Sequence, residues 1–86
     1  MSFPFFDFGS APPYQQLFDY AGRTDQQPVY IGWATPGVQT SAAKWKIRQF
    51  TYNADGGIAS ILWANGDIGF TQIWDNRSNM VLIVYK

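Results

Sequence analysis

Apolar positions recur with a helical period only near the start of the chain, and with strand-like patterns from Gln27 onward. Over Pro13 to Ala21, Tyr14, Leu17, Phe18 and Ala21 fall at i, i+3, i+4 and i+7. Proline sits in the first turn and Gly22 follows as a stop. That spacing predicts a short N-terminal helix, about two turns long, which needs a surface to lean on because isolated helices of that length are marginal. Val29 to Ala34 reads as a strand entered from Pro28 and ended at Pro36-Gly37, and Val38 to Ala43 reads as a loop. Lys44 to Tyr52 reads as a long strand. Trp45 and Ile47 share one face with Gln49, and Phe50 and Tyr52 share the other with Lys46 and Arg48. The apolar phase slips near Arg48-Gln49, so either a β-bulge sits there or both faces are partly covered.

Asn53-Ala54-Asp55-Gly56-Gly57 is a glycine-bearing hairpin signal, and its partner strand is Ile58 to Ala64, with Ala59, Ile61 and Trp63 on one face. Asn65-Gly66-Asp67 is a second tight turn. Ile68 to Arg77 reads as a single helical turn presenting Phe70, Ile73 and Trp74, with a short strand as the competing reading. Met80 to Tyr85 is an uninterrupted apolar run, the pattern of a strand covered on both faces.

Residues 2–13 contain three prolines and a glycine, which rule out a regular helix or a central strand. The stretch is expected to be an extended arm, residues 1–12, ahead of one small domain at 13–86. Disordered tails are normally poor in rings, yet this one carries Phe3, Phe5, Phe6 and Phe8. Each ring docked in a groove contributes about 1.5 to 3 kcal/mol, and that groove lies on the same chain or on a neighbour. The fold class expected is mostly β: a small antiparallel meander or sandwich with a short N-terminal helix and an extended N-terminal arm.

Composition narrows function by exclusion. The 86 residues hold no cysteine and no histidine. Disulfides, thiolate nucleophiles, the usual zinc sites and imidazole-based catalysis are therefore all ruled out. Six Lys+Arg balance six aspartates, giving a formal charge of zero, which disfavours nucleic acid as a partner. Only 14% of residues are charged while 19% are aromatic. A chain this short buries a limited share of its surface, so ring surface in excess of one small core points to interfaces with other proteins. Met1 to Phe8 lacks a basic region and is broken by Pro4 and Asp7, so no secretory signal is read there. No run approaches a membrane span. The expectation is synthesis in a host cytoplasm until something incorporates the chain.

The remaining chemistry has bland readings. Asp67 and Asp75 are read as a turn residue and a partner of Arg77 rather than as an acid and base pair. The Asn53/Asp55 and Asn65/Asp67 pairs lack the spacing and the Glu of a calcium loop. Neither a metal nor another cofactor is expected, nor an enzyme. Lys44, Lys46 and Arg48 alternate along one strand, as a solvated basic face or a contact with an acidic partner. Trp45, Trp63 and Trp74 read as core. Tyr30 and Trp33 are the candidates for ligand stacking, as in a carbohydrate-binding module for host-surface glycans. Phe3, Phe5, Phe6, Phe8, Val81 and Ile83 are the candidates for partner binding.

Five ordered motifs carry a resemblance: Tyr30-Ile-Gly-Trp-Ala-Thr-Pro-Gly37, Thr40-Ser-Ala-Ala-Lys-Trp-Lys-Ile-Arg48, Thr51-Tyr-Asn-Ala-Asp-Gly56, Trp63-Ala-Asn-Gly-Asp67 and Ile73-Trp-Asp-Asn-Arg77. Across residues 29–77 the chain resembles small virion-associated structural proteins of tailed bacteriophages. The resemblance implies a β domain acting as a capsid decoration, neck or tail component. It would sit in the virion against other structural proteins and copies of itself. It supplies no functional residues.

Overall fold

A computed structural model describes residues 14–86, which form one five-stranded antiparallel sheet and almost no helix. The strands are β1 (Gln15–Asp19), β2 (Tyr30–Ala34), β3 (Ala43–Tyr52), β4 (Ile58–Trp63) and β5 (Gln72–Ile73), followed by a single 3₁₀ turn at Trp74–Asn76. The first four lie in chain order, β1-β2-β3-β4, and β5 pairs with the start of β3. This is a meander and not a sandwich. The arm expected at residues 1–12, with Phe3, Phe5, Phe6 and Phe8, lies outside the described residues.

The helix expected over Pro13 to Ala21 is replaced by β1, an edge strand that pairs Gln15 to Ala34 through Asp19 to Tyr30. Two polar side chains on its inward face misled the periodicity. Gln15 turns inward and donates to the carbonyls of Thr35 (3.1 Å) and Val38 (2.9 Å). Asp19 turns inward to meet Arg77. Leu17 stands between them and packs on the core. Alternation with inward polar residues leaves no period-2 apolar signal, although the pleat places Gln15, Leu17 and Asp19 on one face.

The turn at Asn65-Gly66 is as expected: both residues have positive φ (53° and 68°), and the Asp67 amide donates to the Ala64 carbonyl at 3.0 Å. That is the primed geometry whose twist suits a tight reversal, and it selects Asn-Gly. The Asn53 to Gly57 hairpin also forms, closed by the Asn53 amide on the Gly57 carbonyl at 2.7 Å. Of the two alternatives at Arg48-Gln49, a bulge or partly covered faces, the bulge is absent from that place. The register of β3 shifts instead between Thr51 and Tyr52 and between Ala43 and Trp45. Through Arg48-Gln49 the ladder is continuous, so the apolar slip reflects a strand with something on both of its faces.

The two faces of the sheet differ. One carries Trp45 and Ile47 from β3, Ala34 from β2 and Ala64 just past β4, all fully buried under Trp74 and Ile83. Gly32 is required there: a Cβ at that position would stand 2.4 Å from Trp74 Cε3. The indole of Trp74 thus lies directly on the β2 backbone, tilted 36° from the Trp45 ring at 5.8 Å. Trp45 Nε1 donates to the Gln39 carbonyl at 2.9 Å, which meets the polar need of a buried indole. An ion pair closes this layer: Arg77 Nε donates to Asp19 Oδ2 at 2.7 Å, the guanidinium rests on the Trp74 ring at 4.5 Å, and Tyr85 Oη donates to the Arg77 carbonyl at 2.9 Å. Arg77 therefore serves Asp19, not Asp75 as the sequence suggested.

The apolar run at Met80 to Tyr85 does not form the expected two-sided strand. Asn79 holds it in turns, its side chain accepting from the Val81 amide (3.0 Å) and its carbonyl from Leu82 (3.0 Å) and Ile83 (2.9 Å). Pairing is confined to a single bridge between Tyr85 and Ala64. Asn65 adds a second tie, with its Oδ1 accepting from the Val84 amide at 3.0 Å. Local Asx hydrogen bonds have outcompeted the β propensity of the run.

Candidate functional site

The second face of the sheet is built by the other phase of the same strands. Strand pairing sets Arg48 opposite Ile31 and Trp63, Lys46 opposite Trp33, and Phe50 opposite Ile61. Opposed residues project to the same side. Tyr14 leads into β1, and Phe18 follows on the same side of that strand. Phe70, from the loop ahead of β5, reaches over part of this face, and much of the remainder is exposed. Phe18 keeps 49% of its surface in solvent, Ile61 43% and Tyr14 39%, while Trp33, Trp63 and Phe50 are half-buried.

Across its middle runs a cleft of about 210 Å³ lined by Tyr14, Trp33, Lys46, Arg48, Trp63 and Phe70. Rings and cations alternate through it. Tyr14 stacks on Phe70 with centroids 5.2 Å apart. Lys46 Nζ lies 4.7 Å from the Phe70 centroid and 5.7 Å from that of Trp63. The Arg48 guanidinium carbon lies 4.5 Å from Trp63 and 5.3 Å from Trp33. Each cation is held by ring quadrupoles rather than by a carboxylate. Among the described residues the ion pairs are Arg77 with Asp19 and Arg23 with Asp25, so neither Lys46 nor Arg48 has an acidic partner there. Arg48 Nε is moreover buried with no hydrogen-bond partner among the described residues.

Asp67, Asp55 and Asp19, away from the cleft, are occupied. Asp67 accepts from Thr71 Oγ1 (2.6 Å) and the Gly69 amide (2.7 Å), and these bonds, the one from Thr71 foremost, hold its carboxyl below the usual range. Asp55 accepts from the Gly57 amide at 3.0 Å. At Asp19, burial opposes ionisation, but the Ala21 amide and the Arg77 guanidinium outweigh it and its carboxyl also titrates low. Burial is the main cause that pushes the Tyr85 phenol well above its ordinary range. These shifts belong to turns and to the packed face, and none lies in the cleft.

The residues singled out in the sequence fall in different places. Trp33 lies in the cleft, but Tyr30 is three positions away on β2 and so on the packed face, where its ring meets Tyr85 at 5.5 Å. The proposed stacking pair is therefore divided by the sheet. Trp63, read as core, belongs to the open face, whereas Trp45 and Trp74 are core as expected. Ile83 is 4% exposed and part of the core, which removes it from the expected partner-binding surface, whereas Val81 is 90% exposed. Met80 (82%), Val84 and Leu82 accompany it on the far side of the molecule from the cleft. The alternation of Lys46 and Arg48 was legible, but the rings interleaved with them come from four separate segments that only the register brings together. Among the described residues no helix is long and apolar enough to cross a membrane.

The chain matches no known family model, no curated protein and no solved structure.

Proposed function

We propose that this chain is a non-enzymatic structural subunit that works by packing its open aromatic face against another protein, as a component of a tailed-bacteriophage particle. The observation that carries the reading is the two-sidedness of the sheet. One face has a finished core, and the other is as rich in rings but leaves Tyr14, Phe18 and Ile61 substantially exposed. Exposed apolar patches rimmed by polar groups mark association surfaces, and Trp, Tyr and Arg dominate the energetics of such contacts. The loop at Met80 to Leu82, on the opposite side, supplies a second apolar surface. A subunit with two such surfaces suits an assembly in which each copy has more than one neighbour.

The particle itself comes from the resemblance of residues 29–77, with a capsid decoration, neck or tail position all consistent with it. Neighbouring virion proteins and further copies of the chain are the partners, and the virion is its working location after synthesis in the host cytoplasm. Low charge and zero net charge fit a chain that spends its working life in an assembly. Quantitative mass spectrometry of purified particles of the encoding phage tests this: the chain should be present at a fixed, multiple copy number. Its absence from particles would remove the virion assignment.

A further inference from the structure

The open-face cleft specifies the chemistry of its occupant. Among the described residues two cations, Lys46 and Arg48, have no acidic partner and the buried Arg48 Nε has no acceptor. The walls are rings: Tyr14, Trp33, Trp63 and Phe70. What fits is a carboxylate with aromatic neighbours, the acid answering the cations and the neighbours covering the indoles.

The chain itself carries such a segment. Two of its aspartates have a ring on either side, Asp7 in Phe5-Phe6-Asp7-Phe8 and Asp19 in Phe18-Asp19-Tyr20. Asp19 is already held by Arg77. Asp7 lies in the stretch ahead of the described residues, which joins them at Tyr14, a wall of the cleft.

We propose that the cleft receives residues Phe5 to Phe8 from a second copy of this chain, with the Asp7 carboxylate on Lys46 and Arg48 and the phenyl rings against the indoles. This rests on the reading of the open face as a protein-packing surface and names its first occupant. The choice of a second copy follows from the linker. Pro12 and Pro13 stand one residue ahead of the edge strand β1, before Tyr14, and each proline disfavours the helical region for the residue before it. Consecutive prolines favour an extended path of about 3.1 Å per residue. An arm that followed the line of β1 past the sheet would carry Asp7 away from its own cleft. The seven residues from Asp7 to Tyr14 span at most about 24 Å, enough to reach an adjacent subunit. Arms passed between identical subunits yield closed or extending assemblies from a single contact type.

Sedimentation equilibrium of the full chain, with charge-reversed variants, tests this. The wild type should associate at micromolar concentration to at least twice the 9.7 kDa chain mass. Asp7→Lys and Arg48→Glu should each weaken association at least tenfold. An equimolar mixture of the two should associate again, because one variant retains the cleft and the other retains the arm. Lys46→Glu, paired with Asp7→Lys in the same way, serves if Arg48→Glu fails to give a cooperative thermal transition. Three results would overturn the proposal: a wild type that stays monomeric to about 100 μM, variants that associate as the wild type does, or a mixture no better than its components. A monomeric chain that is nonetheless present in purified particles would overturn arm exchange alone. A self-associating chain missing from particles would instead overturn the virion reading.

Discussion

Arg48 and Trp63 stand directly opposite each other on β3 and β4, and the guanidinium carbon lies 4.5 Å from the centre of the indole. With Trp33 on the other flank at 5.3 Å, the cation is held between two rings on the open face. Such contacts contribute about 0.5–1 kcal/mol when exposed and about 2 kcal/mol when desolvated. A double-mutant cycle with Arg48→Gln and Trp63→Leu should therefore give a coupling energy of about 0.5–2 kcal/mol by urea unfolding. Strict additivity would mean that the stacking seen here adds nothing to the fold.

Gly32 is the tightest point on the packed face. A methyl group there meets Trp74 Cε3 at 2.4 Å, and the ring cannot retreat without disturbing Trp45 behind it. Gly32→Ala should destabilise by about 1–3 kcal/mol, the usual range for overpacking. In a domain of this size that lowers the melting temperature by several degrees for each kcal/mol. Gly57→Ala is the control, since the nearest atom to its Cβ is Asp55 Oδ1 at 3.4 Å, and its melting temperature should move far less. Equal losses at both positions would contradict the packing described.

How much of this could be read in advance divides by the kind of signal involved. β2, β3, β4 and both glycine turns were legible, because each is encoded locally by β-branched or aromatic runs and by Asn-Gly or Asp-Gly steps. β1 was not, because Gln15 and Asp19 face inward and find partners at Thr35, Val38 and Arg77, which no local window contains. The C-terminal run misled in the opposite sense: its composition was that of a strand, but Asn79 captured the backbone in a turn. The cleft was half legible. Lys46 and Arg48 were visible as a stripe, whereas Trp63 was read as core, because alternation shows that two residues share a face but not which face is covered.

The Asp19–Arg77 pair predicts an acid dependence of stability. Asp19 titrates lower in the folded chain than in the unfolded one, so at pH values between the two the unfolded state binds more protons. Its contribution is present in full above the unfolded carboxyl value of about 3.9 and is lost as pH falls through the lower folded value. Asp19→Asn should cost stability at pH 7, and the gap from wild type should narrow as urea titrations are repeated toward pH 3. A gap that stays constant with pH would show that the pair has no electrostatic share in stability.

Ile83 and Val81 are two positions apart and should behave in opposite ways. Ile83 is 4% exposed in the core, so Ile83→Ala should cost about 2–5 kcal/mol. Val81 is 90% exposed, so Val81→Ser should stay within about 0.5 kcal/mol of wild type. Chemical denaturation of the two variants checks the assignment. A large loss at Val81 would mean that the loop packs on its own chain and is not a contact surface.

The central claim is that the open face is buried by another protein in the working state of this molecule, and the most direct test is to spoil that face without touching the core. Phe18 and Ile61 both project from it and are 49% and 43% exposed, so a Phe18→Asp, Ile61→Asp double variant should fold with a melting temperature near that of wild type. Counted by isotope-labelled mass spectrometry in particles assembled with either version, the double variant should fall to a small fraction of the wild-type copy number. A folded double variant that fills the particle as completely as the wild type would contradict the account.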